Sequence, residues 1–195
     1  MFVFALILLL RFLNITDIAL PLWVDSVHHA AIARLIDAQG TLPTSYRPFA
    51  NTDAVYYHLG YHTVLITFAR LSGLSIERAM LILGQVLNAL ACVSLYVLAA
   101  HWTKRPVCGL LAMIVAGTIS LMPAYYVTWG RYTQLAGLVM LPIAMLSAQS
   151  AITKGEKRQI FLASVLAAGL FLVHYRVVVF FATFILAYVL VQSAV

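Results

Sequence analysis

Charge is scarce in this sequence. Asp, Glu, Lys and Arg make up 9% of the 195 residues, 64% are hydrophobic and the mean hydropathy is +0.98. Too little polar surface remains to cover a soluble domain of this size, so the composition is that of a polytopic membrane protein. Cysteine is equally sparse. Cys92 and Cys108 lie in or beside apolar stretches with no metal-ligand spacing, and both are read as packing residues. No basic leader and no small-residue cleavage site surround the first apolar segment, so an anchor is expected there and not a cleaved signal. No internal repeat is present, and no polar tail follows the last apolar stretch, so the chain is expected to be the front part of a longer protein. Acids are half as numerous as bases, six against twelve, for a net +6. The bases fall in loops between apolar runs, where they report topology; nucleic acid is not an expected partner.

What the sequence has in quantity is long apolar runs. About 20 residues at 1.5 Å rise cross a bilayer, and Ala79–Ala100, Val107–Val127 and Tyr132–Ser150 meet that length. The stretch from Ile160 to Val195 holds two crossings broken at His174-Tyr175-Arg176. Residues 1–22 form a clipped first span, because Arg11, Asn14 and Asp17 interrupt it. The expectation is an all-α, polytopic transmembrane bundle of about six spans forming one module over residues 1–195. Residues 25–78 would be an extracytoplasmic loop carrying two membrane-parallel helices, and residues 79–195 the remaining spans.

Two loops hold the lysines, one with Lys104 and Arg105 and one with Lys154, Lys157 and Arg158. Two spans separate them, so they share a side, taken as cytoplasmic. The Tyr125–Tyr132 turn, the His174–Arg176 turn and the loop before Ala79 then share the opposite side. Within that loop, Asp25–Gln39 reads as a short helix opened by Asp25 and closed by Gly40. Tyr57–Leu71 reads as an amphipathic helix lying flat, with His58, His62, Thr63, Thr67 and Arg70 on its polar face. Asp25, His28 and His29 share a helical face, and the turn-rich Leu42–Ala54 stretch is expected to return Asp53 toward Asp25. Trp129, Arg131, Tyr132, His174 and Arg176 join them at the same membrane face. There the guanidinium forks suit phosphate oxygens and the aromatics offer stacking surface for a sugar. The bland alternatives are an aromatic belt for Trp129, Tyr125 and Tyr126, snorkelling for the arginines and a helix N-cap for Asp25. His58 and His62 more often face headgroups than a metal, and His101 is given no role. Asn14-Ile15-Thr16 matches an N-glycosylation pattern but lies against the membrane.

Asp25-Ser26-Val27-His28 resembles the acid-plus-Val-His motif in the first extracytoplasmic loop of protein O-mannosyltransferases. Asp25, Arg34 and Gly40 are spaced similarly to residues in the corresponding loop of oligosaccharyltransferase catalytic subunits. Both belong to the GT-C superfamily of integral-membrane glycosyltransferases, which this chain resembles in layout over most of its length and in motif over about fifteen residues. It departs in having Ser26 where the mannosyltransferases have a second acid, and the Trp-Trp-Asp-Tyr-Gly motif of the oligosaccharyltransferase soluble domain does not occur within these 195 residues.

The resemblance implies a hexosyltransferase of cell-envelope glycan assembly in the plasma membrane. Such an enzyme moves a sugar from a polyprenyl-phosphate carrier to an unidentified acceptor, with Asp25 as base and membrane lipids around it. His28, His29, Asp53, Trp129, Arg131, Tyr132, His174 and Arg176 would bind substrate. No cofactor is firmly implied; Asp25, His28 and His29 are a conceivable set for Mn²⁺ or, less well, Mg²⁺. The competing classes are a transporter or flippase component, which would place polar residues near the midplane as Gln85 and Asn88 are, and a noncatalytic subunit of the same assembly.

Overall fold

A computed structural model describes residues 1–194, and among these every regular element is helical. Three helices are long and apolar enough to cross a membrane: α4 (Ile76–Thr103), α7 (Tyr132–Lys154) and α9 (Tyr175–Ala194). The chain is a multi-pass membrane protein. The remaining α-helices are α1 (Phe2–Leu13), α2 (Val24–Gln39), α3 (Gly60–Ser72), α5 (Pro106–Ile114), the five-residue α6 (Ala124–Thr128) and α8 (Lys157–Val173).

Local chemistry sets the boundaries. Ser75 caps α4 by accepting from the Arg78 amide at 3.3 Å, and Glu77 stands in its first turn, where a negative charge suits the helix dipole. Pro106 opens α5 at a position whose missing N–H costs nothing. The apolar run expected to cross continuously over Val107–Val127 does not. α5 widens into a π-helical turn at Val115–Ile119 and stops at the extended Ser120, so the helical stretch is about 21 Å long, well short of the hydrocarbon core. The break at His174 is where the polar triplet placed it: His174 is extended between α8 and α9 without help from glycine or proline.

α4 is the central post. Toward its C-terminal half, Ala89 and Cys92 meet Ile7 of α1 and Met113 and Ala116 of the α5–π segment. Its N-terminal half packs Met80 against α2, α3, α6 and α7 through Ile32, Leu65, Val127 and Tyr132. α7 joins α8 and α9 through Leu141, Ala144, Leu170 and Val177. α9 leaves most of its surface open, as a lipid-facing helix does.

α2 and α3 cover the end of the bundle where α4 and α7 begin and α8 ends. Gly60 lets α3 start directly on α8: a Cβ there would stand 2.8 Å from the Leu172 carbonyl oxygen. α3 is rotated from its expected orientation. Tyr61, His62, Leu65, Ile66 and Ala69 form the buried face, while Val64 and Leu71 point outward. His62 is therefore inside the protein and not among headgroups. Its partner is another imidazole, and burying Leu65 and Ile32 beside it contributes roughly 2 kcal/mol each. Two exposed ion pairs, Arg34–Glu77 at 2.6 Å and Arg70–Asp37 at 2.9 Å, tie α2 to α4 and α3; each is worth at most about 1 kcal/mol.

Candidate functional site

Asp25 lies in the first turn of α2, but the N-cap is Trp23, so the carboxylate is not spent on capping. Its partner comes from the corner between α6 and α7. Arg131 Nη1 stands 3.1 Å from Asp25 Oδ2 in an ion pair, and among the described residues no other cation pairs with the Asp25 carboxylate. The guanidinium also lies over the Trp129 ring, 4.9 Å from its centroid, a cation–π contact that steadies it.

Gly130 makes the approach possible. Its φ of +68° is costly for other residues, and a Cβ there would meet Ser26 Oγ at 2.8 Å, Ser26 N at 2.9 Å and Asp25 Cβ at 3.1 Å. The corner is closed on itself by the Arg131 amide donating to the Tyr126 carbonyl at 2.8 Å. Behind it, Tyr132 is wholly buried with its ring against Gly84. It supports the corner and is not an open stacking surface, contrary to the role expected for it.

One turn along α2, His29 meets His62 of α3 with Nδ1 and Nε2 3.0 Å apart. One ring donates and the other accepts, so a charged pair does not fit. Burial, then the neighbouring imidazoles, lowers the His29 pKa to about 3; the same causes, burial first, put His62 well below its usual value. His28, on the open side, is lowered by burial, an effect that the Asp25 charge partly offsets. It packs against Tyr46 and Tyr57 at centroid distances of 5.3 and 5.4 Å.

The third element comes from the α8–α9 junction. His174 is buried and meets the His58 ring at 4.6 Å, and Tyr57 stacks on His58 at 4.0 Å. Burial holds His58 at about 4. His174 is also lowered to about 4, by burial first and then by His58, Arg176 and Arg131. The ring chain His174–His58–Tyr57–His28 ties this junction to the first turns of α2 that carry Asp25. Arg176 itself is exposed, its Nε donating to the Tyr175 hydroxyl at 3.2 Å.

Asp25, His28, Trp129, Arg131, His174 and Arg176 are accordingly at one end of the bundle, while Asp53 faces outward in a pair with Arg47 at 2.9 Å. Asp53 makes no side-chain contact with Asp25 among the hydrogen bonds and ion pairs of the described residues; its partner is the loop's own cation. The conceivable metal set does not converge either. His29 Nδ1 is committed to His62, and among the described residues no three His, Cys, Asp or Glu side chains could hold a metal ion together. Sequence reasoning passed over Tyr57, which the charges of Asp25 and Arg131 both reach; the Tyr56-Tyr57-His58 run was its only signal. Two clefts flank the site. One, of about 370 Å³, includes Ser26, Val27, Ala31, Phe49 and Arg34; the other, of about 350 Å³, includes Tyr57, His58, Leu172 and Tyr175.

Fold and site together define a multi-pass membrane protein whose helical bundle carries, at one end, an arginine–carboxylate pair set among neutral imidazoles. The chain belongs to the DUF6541 family, a family of unknown function whose model matches residues 1–195. No curated protein and no solved structure matches it.

Proposed function

We propose that this protein is a membrane glycosyltransferase that moves a sugar from a polyprenyl-phosphate carrier to an acceptor at the extracytoplasmic face. The observation that carries the reading is the 3.1 Å pair between Asp25 and Arg131, built from elements about a hundred residues apart, at the end of the bundle that also carries His174 and Arg176. Such a transfer needs one group to take the acceptor's proton and cations to steady the departing phosphate. Asp25 supplies the first. Its unbonded oxygen accepts the hydroxyl proton as the acceptor oxygen bonds to the anomeric carbon and the bond from that carbon to the phosphate oxygen breaks. Arg131 and Arg176 hold the charge gathering on the phosphate. The cleft beside Leu172 and Tyr175 suits the first prenyl units, and the cleft beside Ser26 suits an acceptor. The GT-C resemblance of Asp25-Ser26-Val27-His28 supports the same assignment.

The accompanying topology has the lysine loops inside and the α2–α3 cover outside, with α1, α8 and the broken run from α5 through α6 completing six crossings in the plasma membrane. The transporter reading draws on the polar contacts of Arg11 and Asn88 inside the bundle, but those groups are bonded to one another and to backbone carbonyls.

The test is Asp25→Asn, which keeps the shape and removes the charge. Purified protein is incubated with a panel of polyprenyl-phospho-sugars and membrane extract, and release of polyprenyl phosphate is followed by mass spectrometry. Loss of release with normal membrane insertion supports the enzyme; release at the wild-type rate removes Asp25 as base.

A further inference from the structure

The most expensive side chain in the bundle is one that the proposed chemistry does not use. Arg11 is 6% exposed in an otherwise apolar helix, where a charge is retained only with compensation. No acid pairs with it among the described residues. Its Nε donates to Asn88 Oδ1 at 2.7 Å and its Nη2 to the Gly117 carbonyl at 2.9 Å. Gly117 lies in the π-helical turn, whose altered backbone pairing can leave a carbonyl available to a side chain. Ile7 also packs directly on it, leaving no room for a Cβ. Asn88 passes the connection on, its Nδ2 donating to the Pro123 carbonyl at 2.7 Å.

Pro123 is the N-cap of α6, and the same carbonyl accepts from the Tyr126 amide at 3.1 Å. Tyr126 in turn supplies the carbonyl that receives the Arg131 amide. A chain of hydrogen bonds therefore runs from α1 through α4 to the short helix that ends in Trp129-Gly130-Arg131. α6 has only five residues, too few to hold its own orientation.

The geometry points to Arg11 and Asn88 as positioning residues for Arg131: they fix the α6 corner from inside the bundle, so that the guanidinium meets Asp25. The catalytic importance of this role rests on the proposed function; the positioning itself does not.

Asn88→Asp separates the two links. The carboxylate still accepts from Arg11 but has nothing to donate to the Pro123 carbonyl. In a chain with Trp23→Phe and Trp102→Phe, Trp129 is the remaining tryptophan and reports the corner directly. The expected result is a red-shifted Trp129 emission with greater acrylamide quenching. In the assay above, kcat for polyprenyl-phosphate release falls about tenfold while the donor KM stays within about twofold, the split expected when a group acting in the transition state is displaced. Should Asn88→Asp fail to insert, Asn88→Gln and Arg11→Lys are read the same way. Unchanged Trp129 emission in an inserted variant overturns the proposal. A shifted Trp129 alongside an Asp25→Asn protein that releases polyprenyl phosphate at the wild-type rate leaves the positioning intact and removes Asp25 as base.

Discussion

Gly130→Ala is the substitution whose outcome the geometry specifies most tightly, because Gly40 provides its control. Both glycines have φ of +68°, so alanine at either site incurs the same left-handed backbone penalty of about 1–2 kcal/mol. They differ in what a methyl group meets. At Gly40 nothing lies within 4 Å, whereas at Gly130 the new carbon would meet Ser26 N at 2.9 Å and Asp25 Cβ at 3.1 Å. Backbone nitrogen cannot swing aside, and ordinary separations are about 3.5–4 Å. The corner and the first turn of α2 must therefore part by roughly half an ångström. That movement acts on the contact between Arg131 and Asp25. Misplacement of reacting groups by about 1 Å can lower a rate about a hundredfold, so half of it corresponds to about tenfold. Thermal melts in detergent should show the two variants destabilised, with Gly130→Ala the worse. Release of polyprenyl phosphate should fall about tenfold in Gly130→Ala and stay near wild type in Gly40→Ala. Equal activity in the two would refute the argument that the close approach at Gly130 sets the site.

Three further outcomes follow from the same geometry. Arg131→Lys keeps the charge opposite Asp25 but loses the planar fork, and kcat for release should drop by about ten- to a hundredfold with little change in melting temperature; wild-type kcat would take Arg131 out of the reaction. His29 is neutral in the fold with a pKa of about 3, whereas in the unfolded chain it takes up a proton near 6.5. Its contribution is therefore complete above about pH 6.5 and is lost as pH falls toward 3, about 2–3 kcal/mol by pH 4.5. Melting temperature followed from pH 8 to 4.5 should fall below pH 6.5, with a flatter profile in a His29→Asn, His62→Asn double variant; parallel profiles would contradict the neutral pair. Arg70→Ala removes an exposed ion pair and should change stability by less than about 1 kcal/mol, so a large loss on denaturant titration would mean that the α2–α3 cover depends on it.

The class of this protein could be read from the chain alone because it depends on bulk properties. Apolar length identified α4, α7 and α9 as crossings, and the polar triplet at His174 located a helix break that no glycine or proline marks. Asp25–Gln39 was legible as a helix for a similar reason: Gly40 supplies the left-handed residue that ends it, a local requirement that neighbours in space do not alter. The gathering of Asp25, Arg131, His174 and Arg176 at one end followed from counting spans, and the structure brings the first two into contact.

Tertiary packing decided the rest. The rotation of α3 could not be read from its periodicity, because His62 counts as polar until His29 stands 3.0 Å away and makes it a core residue. Asp53 pairs with Arg47, and no spacing rule names that partner in advance. Tyr132 was exchanged from a surface role to an interior one by the absence of a side chain at Gly84, on another helix. The run from Val107 to Val127 has the composition of a span, yet it bends into a π turn whose Gly117 carbonyl receives Arg11. Composition and helical period are sums over neighbouring residues, so the sequence determined the membrane class and the three long apolar helices. Hydrogen-bond partners and steric gaps belong to pairs far apart in the chain, so only the folded bundle decided which polar groups meet.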